Sequence, residues 1–184
     1  MERKEFIQKC SACSVLSLLS LSLPDKQLHA QVSKTNNNKS VRDANREQIT
    51  KFLSFVDGDM DESIKQKVFG KLGYECFYCT NAVKWIKSMT LTGLIEFVNN
   101  GNSSRWEKIQ YDSEKSALKV IGRKVPCDCA YAQGQQPPKS LCNYCCKSFM
   151  QEFFGTLFKK KVKVIIDETI ILGGERCSET IKIC

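Results

Sequence analysis

Cysteine spacing constrains this chain more than any other feature. Eleven cysteines occur in 184 residues, and most stand in close groups. Cys76 and Cys79 form a C-x-x-C, Cys127 and Cys129 a C-x-C, and Cys142 and Cys145 a second C-x-x-C with Cys146 adjacent. Cys177 follows the turn signal Gly173-Gly174. Two thiolates separated by two residues can turn the same way and share one tetrahedral ion. Twelve residues separate Cys129 from Cys142, so these two pairs carry four sulfurs across one Pro/Gly loop. Cys127, Cys129, Cys142 and Cys145 are therefore the expected metal ligands. Cys76, Cys146 and Cys177 are further thiols within the same pattern, and Asp128 is a candidate carboxylate ligand. A sulfur-rich donor set suits zinc or an iron–sulfur cluster.

The same residues have two rival uses. A disulfide framework is natural in an exported chain, although C-x-C bridges are strained and adjacent Cys145 and Cys146 are awkward partners. A nucleophilic or redox role is open to Cys142 or Cys145, whose pKa a helix N-terminus would lower. Cys79 and Cys184 read as inert buried thiols. Spacing alone leaves the choice among metal, disulfide and nucleophile open.

Residues 1–30 read as an address. Arg3, Lys4 and Lys9 precede an apolar stretch at 12–23, Pro24 ends it, and Leu28-His29-Ala30 offers a small residue for cleavage. The apolar run is too short to span a bilayer, which needs about twenty residues. Export to a periplasm or cell surface is expected; without a working signal the chain would stay cytoplasmic. Residues 31–47 are polar and read as a flexible linker, leaving 48–184 as one cysteine-rich domain. His29 is the only histidine. Cleavage after Ala30 would leave nine cysteines and no histidine, which removes Cys-His dyads and Ser-His-Asp triads. No catalytic residue is assigned.

Within the domain, Ile49, Phe52, Leu53 and Val56 recur at helical spacing and predict a helix over 42–57. A second helix begins near Asp61 and is expected to stop at Gly73. Helices follow over 82–90 and 91–98. Strands are predicted at 106–111 and 117–121, a short one at 127–131, and another at 162–166 with 169–172 continuing it or pairing nearby. Residues 134–138 read as a loop, and 142–158 return to helical spacing. Helices first, then antiparallel strands crossed by one long helix, argue an α+β domain. Trp85, Phe149 and Phe153 are candidates to line a small-molecule pocket, and core packing explains them equally well.

Charge excludes little but weakens one class. The formal net charge is +8, part of it in Lys159, Lys160, Lys161 and Lys163. No aromatic residues interleave with that run, so it reads as a solvated helix end and no nucleic-acid partner is expected. The oligomeric state has no signature in the sequence.

The order of motifs resembles a known family. Cys127-Asp-Cys129, Leu141-Cys142-Asn-Tyr-Cys145-Cys146, the helical stretch 149–158, the strand 162–166 and Gly173-Gly174-Glu-Arg-Cys177 follow in series. The series resembles the cysteine-bearing small-molecule-binding domains named after four-vinyl reductase, and the L-2-amino-thiazoline-4-carboxylate hydrolase-like proteins. Gly73-Tyr74-Glu75-Cys76 is similar to an upstream Gly-x-x-Cys position there. Residues 3–9 resemble a twin-arginine export signal, with Lys4 in place of the second arginine. The family resemblance implies a helix crossing an antiparallel sheet, with a pocket or metal site beside the cysteines. Three functions follow as expectations: a thiolate-held metal organising a small-molecule pocket, a hydrolase opening a small thiazoline-like ring, or a disulfide-stapled protein without catalysis.

Overall fold

The computed structural model describes residues 38–127, 129–132 and 137–184. The expected export signal at 1–30, the first part of the linker and Asp128 lie outside the described residues, as does most of the loop expected at 134–138.

Helix α1, Asn38–Asp59, takes in residues 38–47, which composition marks as linker. A polar stretch signals exposure, not the absence of a helix, and extending an existing helix is cheap compared with nucleating one. The i,i+4 pair Lys51–Glu47, at 2.8 Å, adds local support. Leu53 and Val56 carry the buried face of α1, while Phe52 and Phe55 remain exposed.

Helix α2, Glu62–Tyr78, starts at Asp61, whose carboxylate accepts the Ile64 N–H at 2.9 Å. It does not stop at Gly73. The missing side chain there serves packing, and the helix continues for another turn, so Cys76 is a helical residue. Helix α3 spans Ala82–Lys87 and α4 spans Leu91–Asn99, the latter capped by Thr90, which accepts from Gly93 N–H at 3.1 Å.

Four strands follow: β1 Trp106–Asp112, β2 Ala117–Gly122, β3 Val162–Glu168 and β4 Ser178–Ile183. Their order in the sheet is β1-β2-β4-β3, antiparallel throughout. Between β2 and β3 the chain makes a 3₁₀ turn, Ala130–Ala132, a π-helical turn, Leu141–Cys146, and helix α5, Lys147–Phe158. The fold is α+β, with helices leading into an antiparallel sheet on which α5 lies.

Two segments expected as strands are turns. Around 127–131 the backbone closes on itself, with Ala132 N–H donating to Cys129 O at 3.0 Å. Residues Ile170–Leu172 form a 3₁₀ turn capped by Thr169 and ended by Gly173 at φ +91°. Both runs are too short and too interrupted to hold a ladder. Cys184, expected to be buried, is exposed.

The core has two parts. The larger lies between the helices and the sheet and gathers Phe77, Leu94, Met150, Phe153 and Phe154 against Ile109, Leu118, Val120 and Ile181. The smaller joins α1, α2 and the π turn through Leu53, Val56, Phe69, Leu72, Leu141 and Cys145.

Candidate functional site

Where the two cores meet, a cavity of about 130 Å³ remains. Seven cysteines line it: Cys76, Cys127, Cys129, Cys142, Cys145, Cys146 and Cys177. These are the four candidate ligands and the three additional thiols expected from spacing. They arrive from four separate chain segments.

Each thiol is placed by a specific local device. Cys76 comes from the last turn of α2, held close to the π turn because Gly73 has no side chain: a Cβ there would lie 2.0 Å from the Cys145 carbonyl oxygen. Cys142, Cys145 and Cys146 come from the π turn itself, and such wide turns are frequent at functional sites. Asp57 of α1 anchors the start of that turn, accepting Lys139 N–H at 2.9 Å and Ser140 N–H at 3.0 Å. Cys177 is fixed by its carbonyl, which accepts Gly122 N–H at 2.7 Å where a side chain on Gly122 would clash. Cys127 and Cys129 come from the loop after β2.

The neutral thiol is favoured at Cys129, Cys142, Cys145, Cys146 and Cys177. Burial raises the Cys142 pKa to about 11, against a lowering hydrogen bond with Thr169 and the nearby Arg105. Burial likewise raises Cys146 to about 12, although Arg105 donates to its sulfur at 3.6 Å. Cys129 and Cys177 are pushed up by the same cause. A hydrogen bond from Cys76 favours the Cys145 thiolate, but burial and the sulfurs of Cys129, Cys146 and Cys142 outweigh it. Neutral, buried thiols are weak nucleophiles. A cation among them reverses this balance, because a coordinating thiol is deprotonated outright.

Spacing did not reveal the polar wall of the cavity. Arg105, Trp106, Arg123 and Glu179 line it along the sheet. Register explains how. Trp106 pairs with Gly122, and Val120 with Glu179, so Trp106 and Glu179 project from the same face as Val120 and Ile181. A bulge at Glu107 shifts β1 by one residue and allows Trp106 and Ile109, three apart, to share that face. Glu179 is 3% exposed, and burial raises its pKa while Arg105 opposes. The sequence does carry one signal: in Glu179-Thr180-Ile181-Lys182-Ile183, strand alternation puts Glu179 on the apolar side. The bulge behind Trp106 has no comparable signature.

Of the aromatic residues expected at a pocket, Phe149 lines this cavity. Trp85 and Phe153 sit in the main core, where Trp85 meets Phe97 and Phe153 in ring contacts with centroids 5.5 and 6.0 Å apart. Donor chemistry at the cavity fits a thiophilic ion such as zinc. Among the described residues no three cysteine or carboxylate side chains are already drawn into a metal-holding arrangement, so coordination requires the thiols to close together. Among the described residues no helix is long and apolar enough to cross a membrane.

No family model matches the sequence, and no curated relative does. Solved structures with a partly similar backbone include a trafficking protein particle complex subunit 3 from Naegleria fowleri, covalently bound to palmitic acid. It is 8% identical with a TM-score of 0.47, over 77% of this chain and 96% of that one. The phenol-responsive sensory domain of the transcription activator PoxR, with phenol, is 11% identical with a TM-score of 0.48, over 75% and 74% of the two chains. An H-NOX protein from S. oneidensis in the Fe(II)NO state is 13% identical with a TM-score of 0.45, over 98% and 94%. All three scores are below 0.5, a likeness in the course of part of the backbone.

Proposed function

We propose that this domain is a binding module in which a thiophilic metal ion, zinc by preference, is held by thiolates at the cavity and organises it for a small molecule. The observation that carries the reading is the convergence of seven cysteines from four chain segments on one cavity. Cys76, Cys129, Cys145 and Cys146 are the proposed ligands: Cys145 interacts with the other three as well as with Cys142, and Cys129 interacts with Cys146 and Cys76 as well as with Cys127. This set shares Cys129 and Cys145 with the four expected from spacing. Cys127, Cys142 and Cys177 flank it. Zinc is four-coordinate in structural sites, and four thiolates would close such a site.

A metal is a better account than a nucleophile. The described residues contain no histidine to act as a base, and burial holds Cys142 and Cys146 as thiols at neutral pH. Ring-opening hydrolysis by a thiolate nucleophile would need one of them ionised. The resemblance to the four-vinyl-reductase-type domains supports the same reading, as does the size of the cavity. An export signal at 1–30 would deliver the domain outside the cytoplasm; a twin-arginine route would let the site load before transport.

Cobalt(II) substitution tests the ligand set. Thiolate-to-metal charge-transfer absorption is expected in the wild type, reduced in Cys129→Ser and Cys145→Ser and retained in Cys127→Ser. Binding should also release protons, since the ligands start as thiols. Absorption typical of oxygen ligands alone would contradict the reading.

A further inference from the structure

Among the described residues, two buried polar atoms at the cavity have no hydrogen-bond partner: the indole nitrogen Nε1 of Trp106 and Oε2 of Glu179. Both residues line the cavity, at 6% and 3% exposure. Buried polar groups in folded proteins are almost always satisfied, and each exception calls for an explanation. Glu179 is the more telling, because it stands on a strand face whose neighbours Val120 and Ile181 are core residues. An apolar residue there would serve the fold better. The carboxyl is thus placed for something the described protein does not itself provide.

The surroundings define what fits. A closed apolar cavity of 150 Å³ holds one benzene molecule, so about 130 Å³ is the size of a single six-membered ring. Val125, Pro126, Phe149 and Ile170 supply apolar wall for such a ring. Arg105 and Arg123 on the same lining disfavour a cation, and the buried carboxyl of Glu179 disfavours an anion. The Trp106 indole N–H can only donate, and an ionised Glu179 carboxylate can only accept.

We propose that the cavity binds one neutral, ring-sized molecule carrying an acceptor for the Trp106 indole N–H and an N–H or O–H donor for Glu179, the class of which a cyclic amide is the simplest member. Trp106 and Glu179 share the cavity lining with the proposed thiol ligands, so binding is tested with and without metal.

The probe pair is δ-valerolactam and cyclohexanone, rings of equal heavy-atom count, of which only the lactam has the donor. Titrations use the full domain as purified, and again after chelation. Trp85 and Trp106 are the only tryptophans, so two indole N–H resonances report binding, with Trp85 as an internal reference. Trp106→Phe assigns them. The lactam is expected to move the Trp106 resonance and to bind about tenfold more tightly than cyclohexanone, since an unmet buried acceptor carries a large penalty. Glu179→Leu should abolish that preference, whereas Glu179→Gln, which keeps an acceptor, should retain part of it. Equal affinities in the wild type, a preference surviving in Glu179→Leu, an unmoved Trp106 resonance at saturation, or no binding of either probe at millimolar concentration would each overturn the proposal. Any of these with metal content intact would leave the metal reading standing.

Discussion

Gly73 lies so close to the Cys145 carbonyl that a methyl group at position 73 would sit 2.0 Å from its oxygen. That contact fixes how near α2 comes to the π turn, and with it how near Cys76 comes to Cys145. Gly73→Ala must push the two elements apart. Overpacking of this kind costs about 1–3 kcal/mol, more than the ~1 kcal/mol a helix gains from replacing glycine with alanine. Gly70, in the same helix, has nothing within 4 Å of an added Cβ. Urea denaturation should therefore show Gly73→Ala destabilised and Gly70→Ala stabilised, and the reverse order would refute the packing account.

Asp57 ties α1 to the start of the π turn. Burial would raise its pKa, but hydrogen bonds from Ser140 and Lys139 prevail and hold it below the usual carboxylate range. A carboxylate with a depressed folded pKa contributes stability above its unfolded value of about 4, and loses it as pH falls through the folded pKa. Asp57→Ala is expected to cost about 1 kcal/mol at neutral pH, the ordinary worth of a cap. The difference from wild type should shrink as pH drops below about 4. A pH-independent difference would remove the carboxylate from the account.

Thiol labelling reads the burial of Cys142 directly. With its pKa raised to about 11, its thiolate fraction in metal-free protein at pH 8 is lower than that of an ordinary thiol by about a hundredfold. Cys184 is exposed and should alkylate first. The same shift makes stability fall as pH rises, because the unfolded thiol ionises near pH 8.5 while the folded one keeps its proton until about 11. Fast labelling of Cys142, or stability flat between pH 8.5 and 11, would contradict this.

Glu179 should be a liability to the unliganded fold. Replacing a buried, unsatisfied polar group with an apolar one of similar size is neutral or favourable, so Glu179→Leu should raise stability by about 1 kcal/mol while removing ligand selectivity. Thermal unfolding without ligand checks it; marked destabilisation would mean the carboxyl has a structural partner.

The cysteine set was legible because its information is local: pairs two or three residues apart announce themselves in the chain. The class of fold was legible for the same reason, since helical spacing in 49–56 and the strand-type segments at 106–111 and 162–166 are short-range patterns. What escaped was long-range. Gly73 reads as a helix stop until the Cys145 carbonyl is seen beside it. Trp106 reaches the cavity only through a bulge at Glu107 that no residue type marks. Arg105 and Tyr131 carry no periodic signal and become lining residues only when the sheet and the 3₁₀ turn are in place. Glu179 was within reach, because its strand alternates, and an inward carboxylate on an apolar face is a readable anomaly.

Metal content per folded chain decides whether the cavity thiols hold an ion. Residues 31–184, purified without chelator and under reducing conditions, are to be analysed for elements alongside the Cys129→Ser/Cys145→Ser double variant. About one zinc per chain is expected in the wild type, lost in the variant. A wild-type domain that is folded and metal-free, with its thiols blocked until reduced, would show that the cysteines staple the fold and hold no ion.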